Sequence, residues 1–196
     1  FMDAHPEAGA CGPRLLVTDG SLQPNGRSLP TAWSVFLDMT RLYRLTRKNV
    51  FGETGRDYSE EKRVGEVSGA ALVLRRVVYE RIGGFDTRLF LFYDDVDICK
   101  RVGDAGYAVY YVPSSTIVHH WGGTMKRYSE VAYRAGQDSL RYYFVKHHGR
   151  GSRALVDALL RTKELVLTVV SFFRGRRSDY YFHRKLLARL FRPVDR

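Results

Sequence analysis

Three carboxylates stand within four residues at Asp94-Asp95-Val96-Asp97, where the pattern predicts the start of a helix. Acidic residues at such a position can cap exposed backbone N–H groups and interact favourably with the positive end of the helix dipole. Capping accounts well for Asp94 and Asp97 but less well for a third acid, because neighbouring like charges oppose each other's ionisation. A carboxylate that the fold directs into a cleft can instead act as a general base. Both interpretations stay open at this point.

Two adjacent histidines, His119 and His120, end a predicted strand and precede a short glycine-containing segment, Trp121-Gly122-Gly123-Thr124. An imidazole in this setting can bind a metal ion or a phosphate, and it can equally be a hydrogen-bonded structural residue. Because successive side chains of a strand point to opposite faces, we expect at most one of the two histidines to face a site.

Short strands and helices alternate along the part of the chain that carries these residues. The hydrophobic patterns predict strands over 10–17, 67–74, 107–112 and 116–120, with Pro113 ending the third. Helical spacing and following glycines predict helices over 32–45, 75–82 and 94–104. A polar segment with two glycines predicts a loop over 48–63. This alternation predicts an α/β fold with helices packed on a sheet.

The charge of the chain is distributed unevenly. The 196 residues are 44% hydrophobic, enough to bury one sizeable core, and carry a formal net charge of +11. Residues 1–125 hold 15 Lys/Arg and 15 Asp/Glu, whereas residues 126–196 hold 17 Lys/Arg and 6 Asp/Glu. We therefore divide the chain into a neutral globular part, 1–125, and a basic tail, 126–196, and expect an anionic partner for the tail.

Helical spacing continues through the tail, over 128–146 and 153–173. The second segment carries an apolar stripe of Leu155, Leu159, Val166, Val170 and Phe173. Charged residues interrupt it and no run of eighteen apolar residues exists, so the pattern does not predict a membrane-crossing helix. Basic amphipathic helices with aromatic residues suit an anionic membrane surface, and they equally suit packing on the globular part or on a second copy in a homodimer. Nucleic-acid binding is disfavoured, because no helix-turn-helix, zinc or RRM signature is present.

The cysteines and the first residues bear on the setting of the protein. Cys11 and Cys99 are far apart and lie in ordinary core or helix patterns, which favours a reduced, cytosol-facing protein over a disulfide scaffold. The chain begins at Phe1 in a segment that looks like the end of a helix, and no signal peptide is visible. We therefore expect a fragment of a longer protein.

The motifs form a recognisable order. In sequence they are Ser68-Gly69-Ala70, Gly83-Gly84-Phe85-Asp86, Phe92-Tyr93-Asp94-Asp95-Val96-Asp97 and Val118-His119-His120-Trp121-Gly122-Gly123-Thr124. Over residues 8–150 this order resembles the C-terminal half of the family 2 glycosyltransferases. Within them it is most similar to the rhamnosyltransferase-like branch that builds bacterial cell-surface polysaccharides, which also shares the aromatic, basic segment from Tyr142 to Gly149.

The resemblance implies part of a GT-A sandwich and a metal-dependent, inverting transfer from a nucleotide-sugar donor to a lipid-linked or glycan acceptor. It implies that Asp95 is the catalytic base, beside Asp94, which stands where the family usually has glutamate. It assigns a divalent ion, Mg²⁺ or Mn²⁺, to His119 rather than His120. The segments Ser68-Gly69-Ala70 and Trp121-Gly122-Gly123-Thr124 would line the cleft for acceptor and donor.

One departure from the family pattern is serious. The donor-binding half of the family, with its Asp-x-Asp metal motif, precedes the segment that matches Phe1, and Asp95-Val96-Asp97 fits that spacing only within the base-bearing motif. We therefore expect this chain alone to be inactive, with the other half absent or supplied by a partner chain. A non-catalytic assembly subunit is the alternative. If the protein is an enzyme, the basic tail predicts a cytoplasmic protein held peripherally on the inner face of the plasma membrane.

Overall fold

The computed structural model describes residues 1–43, 58–120 and 129–192. Its strands are β1 (Ala8–Leu16), β2 (Leu22–Gln23), β3 (Lys62–Val64), β4 (Val73–Leu74) and β5 (Ala108–Val118). Its helices are α1 (Ala32–Met39), α2 (Arg76–Arg81), α3 (Asp94–Asp104), α4 (Ser129–Phe173) and α5 (Arg177–Arg189). The α/β prediction is confirmed, and the predicted bounds of α3 are those observed. Most of the predicted 48–63 loop and all of the Trp121-Gly122-Gly123-Thr124 segment lie outside the described residues.

Within residues 1–43 and 58–120, the strands form one mixed sheet. Its strand order is β2-β1-β5-β3, with β4 also pairing with β1. The central strands β1 and β5 run parallel, and the pairs made by the outer strands are antiparallel. At Gly12 of β1, an added Cβ would lie 2.7 Å from Cβ of Val67, so glycine lets the segment before Ser68 approach the sheet closely.

Two of the strand predictions were wrong. The predicted strand over 67–74 survives only as β4, because residues 69–71 form a turn in which Ala71 N–H donates to Ser68 O. Pro113 does not end a strand, since β5 runs through it. Its neighbours explain this: β1 pairs with Val112 and next with Thr116, so Pro113 lies in a register shift where its missing N–H breaks no ladder.

Helix α3 lies between two hydrophobic cores. Its inner residues Ile98, Cys99 and Val102 pack with the sheet and α2, in the cluster Ala10, Val67, Val78, Ile98, Cys99, Val102 and Val109. Val96, on another side of α3, joins the helical cluster Val35, Val96, Leu140, Tyr143, Phe144, Val156, Leu160 and Leu190. Each such fully buried side chain contributes roughly 1.5–3 kcal/mol. The basic tail therefore packs against the helix that carries the acidic motif.

The described residues of the tail, 129–192, form two packed helical elements. Helical structure is confirmed over the described residues of both predicted tail segments, although they form one element, α4, interrupted at Gly149. The backbone there has φ 77° and ψ 179°, a conformation essentially restricted to glycine, so the chain changes direction at this residue. Helix α5 packs against α4.

The two cysteines, Cys11 and Cys99, are free and buried.

Candidate active site

Asp95 lies in the first turn of α3, where its carboxylate meets the predicted cleft segment. Gly69 N–H donates to Asp95 Oδ2 at 2.9 Å, and Val96 N–H donates to Asp95 Oδ1 at 2.9 Å. Each carboxylate oxygen thus accepts one backbone hydrogen bond, which holds the side chain in one orientation and leaves lone pairs for a substrate. The side chain is half-buried, so it remains accessible.

A buried asparagine fixes the segment that reaches Asp95. The side chain of Asn25 is fully buried, and its Oδ1 accepts from Ser68 N–H at 2.8 Å while its Nδ2 donates to Pro13 O at 2.7 Å. These bonds tie residue 68, in the segment between β3 and β4, to β1 and leave Gly69 N–H for Asp95. An added Cβ at Gly69 would lie 3.5 Å from Asp95 Cβ, in ordinary van der Waals contact, so residue 69 lies directly beside this side chain.

The backbone just before α3 is strained. Phe92 and Tyr93 have φ of 66° and 62°, a left-handed conformation that costs a non-glycine residue of order 1–3 kcal/mol. Tyr93 occupies the N-cap position without a side-chain capping bond. A first-turn N–H, that of Val96, is instead satisfied by Asp95, so an acidic residue does cap a backbone donor here, although it is Asp95 rather than Asp94 or Asp97. Helix α4 holds the strained turn: Ser139 Oγ–H donates to Leu91 O at 2.9 Å, and the Tyr143 ring lies 5.5 Å from that of Tyr93.

Asp97, the third acid of the motif, has a structural role. Its side chain is fully buried and lies 2.6 Å from Lys146 Nζ, 2.7 Å from His147 Nε2 and 2.8 Å from Arg101 Nε. Burial alone would raise the pKa of Asp97, but the hydrogen bonds from His147 and Lys146 and the charge of Arg101 hold that pKa below its ordinary value. Asp97 is thus ionised and fully engaged, and cannot serve as the base.

Asp86 of the Gly83-Gly84-Phe85-Asp86 motif is held in the same way. Its carboxylate accepts from Tyr142 Oη at 2.7 Å, from Lys146 Nζ at 2.8 Å and from Arg88 Nε at 3.0 Å. Burial opposes ionisation here too, but these partners outweigh it and keep the pKa of Asp86 well below its usual range. Lys146 therefore links both acidic motifs to α4.

Two further carboxylates surround Asp95. Burial and the charge of Asp95 raise the pKa of Asp94, which is half-buried. Glu66 is fully buried and paired with Arg27. Burial raises the pKa of Glu66 to about 7; the charge of Arg27 opposes this rise and the charge of Asp95 adds to it. Ionising either group costs more while Asp95 is charged, so these three carboxylates form one electrostatically coupled cluster.

His119 lies at the end of β5 and is anchored to the sheet. Its Nδ1 lies 2.8 Å from Oε1 of Gln23, and its backbone N–H donates to Leu16 O at 2.8 Å. His119 is half-buried and His120 is exposed. Across residues 1–43, 58–120 and 129–192, no group of three or more His, Cys, Asp or Glu is arranged to hold a metal ion. The described residues therefore do not form a complete metal site around His119.

Sequence reasoning placed Asp95 and the Ser68-Gly69-Ala70 segment in one site, and the structure brings them into direct contact. It missed the roles of Asn25, Glu66, Lys146 and His147. The last two lie in the aromatic, basic segment that was noted only as part of the resemblance. For Asn25 and Glu66 the sequence offers no local signal, because their partners are distant in sequence. Asn25 bonds to Pro13 and Ser68, 12 and 43 positions away, and Glu66 pairs with Arg27 across the fold.

Comparison with known proteins supplies relatives of this chain. No protein-family model matches the sequence. The N-acetylglucosaminyl-diphospho-decaprenol L-rhamnosyltransferase of Mycobacterium tuberculosis, in two strains, is 32% identical over 178 residues, covering 79% of this chain and 55% of that protein. The O-antigen biosynthesis protein RfbC of Myxococcus xanthus is 30% identical over 115 residues, covering 59% of this chain and 9% of that protein.

A third relative is the rhamnosyltransferase WbbL of Escherichia coli, which is 23% identical over 91 residues, covering 46% of this chain and 31% of that protein. The chain thus spans about half the length of the mycobacterial proteins it matches. The matches to rhamnosyltransferases agree with the resemblance that the motifs carry.

Proposed function

Because the chain belongs to the family 2 glycosyltransferases, in their rhamnosyltransferase-like branch, we propose that it carries the acceptor side and the catalytic base of an inverting sugar transfer in cell-surface glycan synthesis. The donor would be a nucleotide-linked sugar and the acceptor a lipid-linked or polysaccharide glycan. The observation that carries the proposal is the half-buried Asp95 carboxylate, oriented by Gly69 N–H at the predicted cleft.

In the proposed reaction, Asp95 accepts the proton of an acceptor hydroxyl. The hydroxyl oxygen attacks the anomeric carbon of the donor sugar from the face opposite the nucleotide, a new C–O glycosidic bond forms, and the bond from that carbon to the diphosphate oxygen breaks. The leaving nucleoside diphosphate takes the bonding electron pair. A carboxylate fixed by two backbone N–H groups suits this role, because it needs no reorientation when the acceptor binds.

The two other acids of the motif support the choice of Asp95. Asp97 is committed to Lys146, His147 and Arg101, and burial raises the pKa of Asp94. Asp95 is therefore the acid of the motif that is accessible and not committed to a cation, while Asp97 holds the opposite side of α3 to α4.

The donor-binding part of a GT-A sandwich is proposed to lie in the length of the relatives that this chain does not span. The described residues form part of a mixed sheet with helices, and Asp-x-Asp in a donor-binding context does not occur in the sequence. We expect the chain alone to be inactive, and we place the transfer at the cytoplasmic face of the plasma membrane, where a lipid-linked acceptor would be presented.

The test of the proposal is a transfer assay on this chain together with its upstream coding region. Nucleotide-linked L-rhamnose and other nucleotide sugars are offered with an N-acetylglucosaminyl-diphospho-polyprenol acceptor, and mass spectrometry of the lipid product detects the added sugar. Transfer that disappears in the Asp95→Asn variant supports the proposal. Normal binding of donor with no transfer to any lipid-linked or glycan acceptor would favour the non-catalytic subunit instead.

His119 is proposed to contribute one ligand to a divalent ion on the donor diphosphate, with the remaining ligands from outside the described residues. We assign no reaction step to the ion. Replacing His119 by alanine should weaken Mn²⁺-dependent nucleotide binding by roughly tenfold or more, the size typical of lost metal-site support, whereas His120→Ala should leave it nearly unchanged. Calorimetric titration of nucleotide with and without Mn²⁺ measures this, and equal effects of the two substitutions would contradict the assignment.

A further inference from the structure

The part of α4 after Gly149 has an unusual distribution of side chains. Its inner face, against α5 and the first half of α4, buries the polar residues Asp157, Glu164, Thr168 and Ser171. Its outer face exposes Leu155, Leu165, Val166, Val169, Val170, Phe172 and Phe173, which we call the outer stripe. The stripe ends in the most exposed residues, with Phe172 64% and Phe173 81% accessible.

A buried polar network fixes this orientation. Glu164 has no exposed surface, and its carboxylate accepts from Tyr133 Oη at 2.7 Å and Gln137 Nε2 at 2.8 Å and lies 2.7 Å from His183 Nδ1. Rotating this part of α4 to bury the outer stripe would turn Glu164 toward solvent. Tyr133, Gln137 and His183 would then lose the acceptor that they share. Leaving buried polar groups unpaired is strongly unfavourable, so the apolar face is held outward.

Most of the outer stripe is contiguous. At 100° per residue its seven members fall within an arc of roughly 160°, and the six from Leu165 to Phe173 extend over about 12 Å, with Leu155 about three turns earlier on the same face. The charged residues Arg161 and Lys163 flank this arc and do not enter it. Contiguous exposed apolar surface of this extent on a single helix marks an interaction site rather than ordinary surface variation.

Exposed cations adjoin the stripe at its C-terminal end. Arg174, Arg176 and Arg177 follow Phe173 directly, and all three are exposed. Arg176 lies 4.0 Å from the accessible carboxylate of Asp179, a surface contact that leaves it exposed. Other tail cations are paired in the interior, such as Arg141 with Asp157 and Lys146 with Asp97. The arginines therefore form a positive border next to an apolar face, which is the arrangement of a helix lying at an anionic interface.

We propose that the outer stripe inserts into the interfacial region of an anionic lipid bilayer, with α4 lying parallel to the surface and the three arginines contacting lipid phosphates. Among the described residues, no helix is both long and apolar enough to cross a membrane. A second copy of the chain fits this face less well, because two molecules of net charge +11 repel each other, whereas an anionic surface attracts both the border and the tail. The docking goes beyond the proposed transfer and does not depend on it.

Vesicle co-sedimentation of this chain tests the proposal. Vesicles of phosphatidylcholine alone are compared with vesicles containing about one third phosphatidylglycerol, at salt concentrations from about 0.1 M to 1 M, over which the screening length falls from about 10 Å to about 3 Å. We expect at least tenfold stronger binding to the anionic vesicles at low salt, and a marked loss as salt rises. Equal binding to both vesicles, or none to anionic ones, would overturn the proposal.

Matched variants separate the stripe from general surface hydrophobicity. Leu165→Gln, Val169→Gln and Phe173→Gln together should reduce binding at least tenfold. The control changes exposed apolar residues outside the stripe, Val77→Gln and Val131→Gln, which are 62% and 53% accessible, and should leave binding unchanged. An equal loss of vesicle binding in the stripe variant and the control variant would overturn the assignment of the surface. The same conclusion would follow if the stripe variant kept its vesicle binding and lost only self-association, measured by analytical ultracentrifugation.

The arginine border has its own readout. Arg174→Gln, Arg176→Gln and Arg177→Gln together should weaken binding to anionic vesicles by up to about fivefold per charge removed and leave binding to neutral vesicles unchanged. An unchanged preference for anionic vesicles would show that the border is not used and contradict the proposed orientation. Asp95→Asn should bind vesicles as the parent chain does, so failure of the proposed reaction and failure of the docking are distinguishable.

Discussion

Replacing Asp95 by asparagine should lower kcat for sugar transfer by a factor of roughly 10² to 10⁴, the range typical of a lost general base, with donor affinity nearly unchanged. Asparagine has almost the same shape, but its amide cannot accept the acceptor's proton. Its single oxygen can still accept the hydrogen bond from Gly69 N–H. The hydrogen bond that the carboxylate accepts from Val96 N–H is lost. The loss of stability should therefore stay near 1 kcal/mol.

Steady-state kinetics with nucleotide-sugar donor and lipid-linked acceptor measure this effect in the protein that includes its upstream coding region. Asp94→Asn is the matched control: the same chemical change one residue earlier in the same turn should reduce kcat far less. Thermal unfolding of both variants checks that neither result reflects a damaged fold. An Asp95→Asn enzyme that kept near-normal turnover would show that another group, or none, accepts the proton.

The sequence was sufficient to predict the parts of the site that local patterns determine. The bounds of α3 follow from acidic residues in its first turn and a glycine just after its end, both of which act within a few residues. The placement of Gly69 and Asp95 in one cleft came from the resemblance and could not have come from spacing, because the two residues are 26 positions apart, and their hydrogen bond was not predicted. The error over 67–74 has the same origin, since Asn25 redirects the backbone from 43 positions away.

The tail shows a further limit of reasoning from one sequence. Its surplus of cations was interpreted as a signal for an external anion, but counts of charge do not reveal which cations already have partners. In the structure Lys146 is paired with Asp86 and Asp97, and Arg141 with Asp157. Helix α4 before Gly149 therefore supports the acidic motifs, and only the part after Gly149 presents an unpaired apolar face with arginines beside it. Helical periodicity identified both parts without distinguishing these roles.

Lys146 gives the second large effect, on stability. Lys146→Met keeps the length and the apolar stem of the side chain but removes the ammonium group that both Asp86 and Asp97 contact. Removing one partner from a buried ion pair typically costs 3–5 kcal/mol, because the other charge stays buried. We expect about 3 kcal/mol, the lower end, since His147 and Arg101 remain at Asp97 and Arg88 and Tyr142 remain at Asp86.

The pH dependence of that loss distinguishes an electrostatic role from simple packing. The pKa values of Asp86 and Asp97 are lowered in the folded chain, so the stability they contribute is present above the ordinary aspartate pKa of about 4 and is lost as pH falls below it. Lys146→Met reduces this lowering, so the difference in free energy of unfolding between parent and variant should be largest near pH 7. It should still be large at pH 3 and should narrow only as pH falls through the folded-state pKa values, which are below the ordinary value for Asp97 and well below it for Asp86. Urea unfolding at several pH values measures this difference in free energy of unfolding.

Lys185→Met, at an exposed cation of the same tail, is the control and should change stability by less than about 0.5 kcal/mol at either pH. A gap below about 0.5 kcal/mol at pH 7, or one that stays constant down to about pH 1.5, would mean that Lys146 supports the acidic motifs by its stem alone and that its charge does not hold α3 and α4 together.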